Sequence, residues 1–544
     1  MFDANWATLW EHVAAAVPDR PVIFHRNAEV SYRDFDDHAG RFAAALSKAG
    51  VGRDSKVACY LYNCPEYLEA VYGTLKVDAV PVNVNYRYQG SELAEILNDS
   101  KAEALVFPGS LRRHVLDAFA AVEAPPRLLV QVDDDGTPPI AGALRWPEAL
   151  ENAPLPPHER SGDNHIFMYT GGTTGRPKAV IWRHRDLFDV QRYPTYGVLG
   201  RAYPTSVNEV VEAAVDLGEA APRTLPITPL MHATALFSVM DTLLLGGSVV
   251  FLTKGFDPAE VWLAVQRHRV TRLIIAGNAV CAPLAKELNR ARLSGSAPDV
   301  SSVRSIHSSG MAWTDDVKRA LLEHLPTQLL DILAASEGGP FAYAVVNSIG
   351  DLPSRFRLAA GATVLDENLE PVKPGSGRVG MLAYSGGMPV GYYQDSEKTA
   401  KTFRDIRGTR HVMPGDYVTV AEDGTVEFLG RGSSVINSGG EKVYPAEVEE
   451  ALFAHPAVAD CAVVGMTDPR WGEAVTALVV LNDGMPTTEQ TLVEHVGARM
   501  AGYKKPRAVV FVDSLARSPS GKLNMRAIRQ RAVDELAARR TGGD

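Results

Sequence analysis

The residues best suited to chemistry lie in one run, Thr170-Gly171-Gly172-Thr173-Thr174-Gly175-Arg176-Pro177-Lys178. Its glycines permit backbone angles that other residues resist, its threonine hydroxyls can donate hydrogen bonds, and its lysine supplies positive charge, so the segment can wrap an anion. By chemistry this is a phosphate loop, but not the common P-loop pattern. Lys178 is followed by Ala179 instead of Ser or Thr, and Arg176 and Pro177 separate Gly175 from the lysine. The apolar runs on either side, Ile166-Phe167-Met168-Tyr169 and Ala179-Val180-Ile181-Trp182, read as strands. The competing reading is a polar hairpin turn between them.

A chain of 544 residues exceeds the size at which one core stops growing, so at least two domains are expected. Hydrophobic residues make up 46% and charged ones 22%, the balance of a soluble globular protein, and no apolar run reaches the roughly 18 residues of a membrane span. A formal net charge of -10 argues against non-specific nucleic-acid binding, while leaving room for a local basic site. The opening Met1-Phe2-Asp3-Ala4-Asn5-Trp6 lacks a basic region followed by an apolar core, so a cytoplasmic location is expected. Cys59, Cys64, Cys281 and Cys461 lack paired metal-ligand spacing and are expected to be reduced and buried.

Elements able to position the loop alternate before it. Ser31-Tyr32-Arg33-Asp34-Phe35 opens an amphipathic helix through Phe42, Ala45 and Leu46. Lys56–Leu61, Val80–Val84 and Ala104–Phe107 read as strands, with helices over Glu66–Leu75 and Ser91–Asn98 between them. Such alternation implies parallel crossovers and an α/β sheet. Asp133-Asp134-Asp135-Gly136 reads as a solvated turn rather than a metal site, and Pro154–Pro157 as a loop.

A second α/β unit follows the loop. An extended run from Arg223 ends on His232; strands Ser248–Leu252 and Arg272–Ile275 flank a helix over Ala259–Arg267. Ala276-Gly277-Asn278, Ser308-Ser309-Gly310 and Ser336-Glu337 fall at strand ends, where parallel sheets present loops to ligands. From about residue 355 to 429, short β runs cut by glycines predict a small β-rich subdomain. After Gly430 a shorter α/β pattern predicts a C-terminal domain, with helices at Ala446–Ala454 and Thr488–Met500 and frayed residues at Arg539–Asp544.

The loop, the Ser336-Glu337 pair, Gly415-Asp416, Gly430-Arg431 and Gly521-Lys522 occur in one order across the chain. Together they resemble the adenylate-forming superfamily of acyl-CoA synthetases, adenylation domains and luciferases, over nearly the whole length. The resemblance implies an α/β fold. Residues 1–430 would form a large N-terminal domain of two α/β sheet subdomains plus a small β-barrel-like subdomain. Residues 431–544 would form a small mobile α+β C-terminal domain, with a hinge near 431–434.

The resemblance also implies roles. Thr170, Gly171, Gly172, Thr173, Thr174, Gly175 and Lys178 would grip ATP phosphates, here with Arg176 inside the loop and Ala179 where a glycine commonly follows. His232 matches the family histidine beside the acyl and pantetheine path. Ser309 and Gly310 match the strand lining the adenine and acyl pockets, and Ser336-Glu337 a segment usually written with threonine. Glu337 would hold Mg²⁺, which favours a carboxylate plus phosphate oxygens. Asp416 would take both ribose hydroxyls, a charge-assisted pairing, and Arg431 would reach ribose or phosphate. Ser433 stands where the family often has an acidic or lysine hinge residue. Ser438, Gly439 and Gly440 resemble a loop that approaches phosphopantetheine, and Lys522 matches the C-terminal catalytic lysine. By position Asn278, Met311, Trp313 and Leu333 are acyl-pocket candidates, Leu333 standing where an aromatic often packs on adenine.

The implied enzyme is an AMP-forming carboxylate–CoA ligase that takes ATP, Mg²⁺, coenzyme A and a hydrophobic carboxylic acid, with a homodimer allowed. The junction Gly430–Glu449 and Trp182-Arg183 look similar to a branch of fatty-acyl-CoA synthetases that includes ligases for steroid side chains and other bulky acids. Alternatives are an adenylation enzyme loading a carrier protein, luciferase-type oxygenation, and a nucleotide-binding scaffold without catalysis. Asp513-Ser514-Leu515 echoes a carrier attachment site but reads as a strand end.

Overall fold

The computed structural model describes residues 2–170, 177–253, 255–438, 441–468, 472–500, 502–517 and 523–541; at 431, 433, 437, 441, 442, 472, 540 and 541 only the backbone is described. The chain forms two compact units. The first holds Met1–Pro340, Ala344–Ser354 and Ser385–Phe403, and the second holds Phe341–Tyr343, Arg355–Tyr384 and Arg404–Asp544.

Strands β1 (Pro21–His25), β2 (Ala28–Ser31), β3 (Lys56–Cys59), β4 (Val80–Asn83) and β5 (Ala102–Pro108) come first. They are followed by β6 (Leu128–Val132), β7 (Ala143–Arg145), β8 (His165–Thr170), β9 (Lys178–Arg183) and β10 (Arg223–Pro226). Next come β11 (Ser248–Phe251), β12 (Arg272–Ile275), β13 (Ser305–Ser309), β14 (Gln328–Ala335) and β15 (Gly338–Val346). In the first unit these make two sheets, as the alternating pattern predicts. One runs β2-β1-β11-β10-β12-β13-β14 and is parallel except for the β1–β2 hairpin. The other runs β7-β6-β5-β3-β4-β8-β9 and ends on the short strand Gly391–Tyr392. It is parallel up to β8, then turns antiparallel at β8–β9 and again at the short strand.

Each sheet has its own core. Trp262, Leu273, Ile275, Leu284 and Leu321 centre one, and Val82, Ile96, Leu105, Phe107 and Phe167 the other. Caps set where helices begin: Ser31 Oγ accepts the Asp34 amide at 3.1 Å and opens the helix Tyr32–Lys48. All four cysteines are free thiols, and burial pushes Cys59 and Cys281 up to about 12.

In the second unit the β-rich stretch is present. Within this unit Thr425–Arg431, which carries Gly430, pairs antiparallel with Asp416–Val420. The C-terminal sheet joins Val458–Asp468, Gly472–Leu481 and Ala508–Phe511 around Val463, Ala477 and Val509. Asp513-Ser514-Leu515 follows the end of the strand Ala508–Phe511, with Leu515 buried and the Ser514 carbonyl accepting from Arg531 at 2.5 Å. Of the residues expected to fray, Gly542, Gly543 and Asp544 lie outside the described residues, while Arg539 is held. It lies on the helix Met525–Thr541 and donates to Glu489 Oε2 at 3.0 Å and the Val509 carbonyl at 2.8 Å, which pins the helix end.

One buried acid in the first unit matters for stability. Asp241, 2% exposed on the helix Ala233–Leu244, has a buried Oδ1 without a hydrogen-bond partner. Burial pushes its carboxyl up to about 8 despite Arg272, whose guanidinium bonds Thr224 and Thr242 instead. The folded state therefore keeps a proton that the unfolded chain releases near the ordinary carboxylate value of 3.8, and stability falls as pH rises between 3.8 and about 8. Asp241→Asn removes that term. Its stability margin over the parent should widen from pH 5 to pH 8 by on the order of 1 kcal/mol per pH unit, read from urea midpoints; a constant margin would contradict the buried neutral acid.

Candidate active site

β8 and β9 pair from His165 opposite Arg183 to Thr170 opposite Lys178. The Thr170–Lys178 run is thus a hairpin connection, and the two readings of it coincide: a turn between strands that also carries the anion-binding residue types. Gly171, Gly172, Thr173, Thr174, Gly175 and Arg176 lie outside the described residues. Lys178 Nζ sits 3.7 Å from Asp99 Oδ1, and the Tyr169 hydroxyl donates to Asp99 Oδ2 at 2.6 Å. Burial raises the Tyr169 phenol well above its usual range, so it stays a donor. Asp99 therefore holds both strand ends at the base of the loop.

His232 caps the helix Ala233–Leu244, its carbonyl accepting the Ala235 and Leu236 amides. Two asparagines hold the segment before it. Asn63 Nδ2 donates to the carbonyls of Pro226 (3.1 Å) and Thr228 (3.2 Å), while its Oδ1 accepts the Leu230 amide at 2.7 Å. Asn83, buried at the end of β4, donates to the carbonyls of Tyr169 (3.1 Å) and Met231 (2.5 Å) and accepts the Tyr169 amide at 2.6 Å. One side chain thereby ties the strand that leads into the Thr170–Lys178 run to the residue preceding His232.

Other strand ends converge in the same unit. Ser309 closes β13, and Gly310 follows it at φ +83°, a conformation that favours glycine. The expected loop Ala276-Gly277-Asn278 is instead the start of the helix Gly277–Leu293. Gly277, at φ +48°, is packed so closely that an added Cβ would meet the Ala312 carbonyl at 2.2 Å. Asn278 is spent on holding the chain after β13: it exchanges hydrogen bonds with Thr314, donating to Oγ1 and accepting the amide, both at 3.0 Å. Trp313 is 5% exposed in the apolar core, with Lys318 Nζ 5.2 Å from its ring centroid. Met311, another of the acyl-pocket candidates, packs against the same core. Met311 and Leu333 are half-buried.

Ser336 and Glu337 form the turn between β14 and β15. Trp182 Nε1 donates to the Ser336 carbonyl at 3.1 Å, and the Tyr392 hydroxyl to Glu337 Oε1 at 2.6 Å. Glu337 is 8% exposed. Lys398 Nζ stands 4.0 Å from the Tyr392 ring centroid. Among the described residues no group of three or more His, Cys, Asp or Glu could hold a metal ion. A lone carboxylate such as Glu337 suits Mg²⁺ that takes its remaining ligands from phosphates and water. The acidic triplet is the turn expected, with Asp133, Asp134 and Asp135 accepting from the amides of Gly136, Ser110 and Thr137.

In the second unit Asp416, 5% exposed, stands directly opposite Arg431 across paired strands. Gly415, at φ +99°, accepts the Gly432 amide at 2.8 Å and completes that corner. Ser433 lies in the single helical turn Gly432–Ser434; its side chain, like that of Arg431, is outside what is described. Ser438 is buried on the strand Ile436–Ser438, which pairs with Glu441–Val443. Gly439, Gly440 and Lys522 lie outside the described residues. Arg517 is held by Asp460 through two 2.7 Å bonds, Nε to Oδ2 and Nη2 to Oδ1.

Residues 10–393 match the family model described as AMP-binding enzyme, and residues 447–522 the one described as AMP-binding enzyme C-terminal domain. The chain belongs to the AMP-binding enzyme family. Similar relatives include a 3-oxocholest-4-en-26-oate–CoA ligase of Rhodococcus rhodochrous, 38% identical over 96% of this chain and 95% of the relative. A medium/long-chain-fatty-acid–CoA/3-oxocholest-4-en-26-oate–CoA ligase of Mycobacterium tuberculosis (strain ATCC 25618 / H37Rv) is 39% identical with the same coverage. A feruloyl-CoA synthase of an Amycolatopsis species is 32% identical over 94% of this chain and 96% of its own. Among solved structures, the anthranilate CoA ligase AuaEII in complex with anthranoyl-AMP superposes with a TM-score of 0.82 at 21% identity, covering 99% of this chain and 98% of that one. At that identity the likeness speaks for the family's fold.

Within this family frame the asparagine bridge can be tested directly. Asn83→Ala deletes three hydrogen bonds at one buried point, and at about 1 kcal/mol each a loss near 3 kcal/mol is expected in chemical denaturation. A loss under about 0.5 kcal/mol would show that the bridge does not hold the two segments together.

Proposed function

We propose that this chain activates a bulky or long-chain hydrophobic monoacid as its acyl-adenylate and transfers the acyl group to coenzyme A, with the residues beyond 430 acting as a separate lid. The reaction class follows from family membership and from relatives aligned along 95% of their own length. It is that of an acid–thiol ligase consuming ATP and CoA and forming AMP. The observation that carries the residue assignments is the convergence, in one unit, of the Thr170–Lys178 hairpin and the Glu337 turn, joined by Trp182 at the end of β9.

A carboxylate is a poor acyl donor because its leaving group would be oxide. Attack on the α-phosphorus of ATP converts that oxygen into part of a phosphate ester, and pyrophosphate leaves. Thr170–Gly175 and Lys178 hold the β and γ phosphates, and Lys178 exchanges Asp99 for phosphate when nucleotide binds. Glu337 holds Mg²⁺, which when bound neutralises phosphate charge. Asp416 takes the ribose hydroxyls, with Arg431 beside it on the paired strand. Lys522 stabilises charge on the α-phosphoryl oxygens in the first half-reaction. Rotation about Ser433 then removes it and brings Ser438-Gly439-Gly440 toward the thiol, with His232 beside the pantetheine path.

Met311 and Leu333 line the acyl side, and Asn278 shapes that side by holding Thr314. Two of the relatives carry a steroid side-chain acid in their names, which favours a polycyclic or long-chain acid here. The proposal includes a cytoplasmic location and a homodimer. No helix among the described residues is long and apolar enough to cross a membrane.

Two experiments test this. In pyrophosphate release with straight-chain, aryl and steroid side-chain acids, kcat/KM for a steroid or long-chain acid should exceed that for aryl acids by about tenfold or more; an aryl preference would overturn the substrate assignment. Lys522→Ala should lower adenylate formation by about a hundredfold or more while thioester formation from supplied acyl-adenylate changes far less. Equal losses in both halves would refute the role given to Lys522.

A further inference from the structure

The phosphate hairpin and the Glu337 turn belong to different sheets of the first unit, and two aromatic side chains join them. β9 leaves the loop at Lys178 and pairs antiparallel with Gly391–Tyr392, Val180 standing opposite Tyr392 and Ile181 opposite Gly391. From this two-strand edge Trp182 donates to the Ser336 carbonyl and Tyr392 to the Glu337 carboxylate. The turn is thus gripped at two successive residues, once through its backbone and once through its side chain. Tyr392 is itself fixed: its amide donates to Thr399 Oγ1 at 2.9 Å, its ring meets Phe403 edge-on at 6.1 Å, and Lys398 stands over its face. A nearby ammonium favours loss of electron density from the phenol oxygen and makes the hydroxyl a stronger donor.

We propose that Tyr392 is the positioning residue for the metal-binding carboxylate: its hydroxyl occupies Glu337 Oε1 and so selects the orientation in which the other oxygen meets the Mg²⁺ of bound ATP. Trp182 supports the same orientation by fixing the preceding peptide. Because Trp182 sits on the strand that continues from the loop and Tyr392 on the strand paired with it, the loop and the metal carboxylate keep a common geometry. This rests on the assignment of Glu337 to the ATP-bound magnesium.

The test is ATP binding without acid substrate, so that no turnover occurs, measured by titration calorimetry with and without Mg²⁺. The parent should bind ATP more tightly with Mg²⁺. Tyr392→Phe should lose about tenfold of that magnesium-dependent tightening while its affinity for metal-free ATP and its thermal midpoint stay near the parent's. Glu337→Gln should lose at least as much, and Trp182→Phe, which keeps a ring but no N–H, should lose a smaller part. If Glu337→Gln loses the magnesium effect but Tyr392→Phe keeps it in full, Tyr392 does not position the carboxylate and the proposal is overturned while the role of Glu337 stands. If Glu337→Gln itself keeps the effect, the assignment of Glu337 is wrong and the proposal falls with it.

Discussion

The register across β8 and β9 sets where the two ends of the Thr170–Lys178 run stand. Thr170 opposite Lys178 closes the ladder, so the glycine- and threonine-rich run leaves the sheet as a hairpin connection whose two ends cannot drift apart. This is also where an otherwise parallel sheet turns antiparallel. A parallel strand in place of β9 would need a long crossover and would carry the lysine away from the loop's start. The hairpin keeps Thr170 and Lys178 side by side, and the strand Gly391–Tyr392 pairs along β9.

Polar side chains add direction to the apolar packing around this hairpin. Asp99 takes both the Tyr169 hydroxyl and the Lys178 ammonium; Asn83 takes both the Tyr169 peptide and the Met231 carbonyl; Trp182 and Tyr392 take the Ser336–Glu337 turn. Hydrogen bonds are directional, and in a buried setting leaving one unmade is costly. They therefore define orientation where a greasy contact would define only proximity. A site that must meet several phosphate oxygens and a metal needs orientation.

Residues whose type alone carries chemistry were legible in the chain. The glycine-threonine loop, Glu337 and Asp416 stand out against their neighbours, and their order pointed to the adenylate-forming family. The α/β alternation was legible because β3, β4 and β5 carry the short apolar runs Val57–Cys59, Val80–Val82 and Ala104–Pro108, with helical patterns between them. The supports were not legible. Tyr392 and Glu337 are 55 residues apart, Trp182 and Ser336 154, Asn83 and Met231 148, so no local pattern announces the pairs. The helix that begins at Gly277 was not legible either, because Gly277 reads as a loop glycine, whereas it starts a helix at positive φ just after β12. Arg539 looked like frayed terminus because Glu489, which anchors it, is 50 residues away.

The central claim is that a substrate carboxylate oxygen becomes bonded to the α-phosphorus of ATP. Turnover of a carboxylic acid labelled with ¹⁸O in both carboxyl oxygens, followed by mass spectrometry of the products, tests it most directly. An acyl-adenylate route places one ¹⁸O in the phosphate of AMP and leaves one in the acyl-CoA. Unlabelled AMP, or label recovered in pyrophosphate or inorganic phosphate with ADP as the nucleotide product, would contradict it.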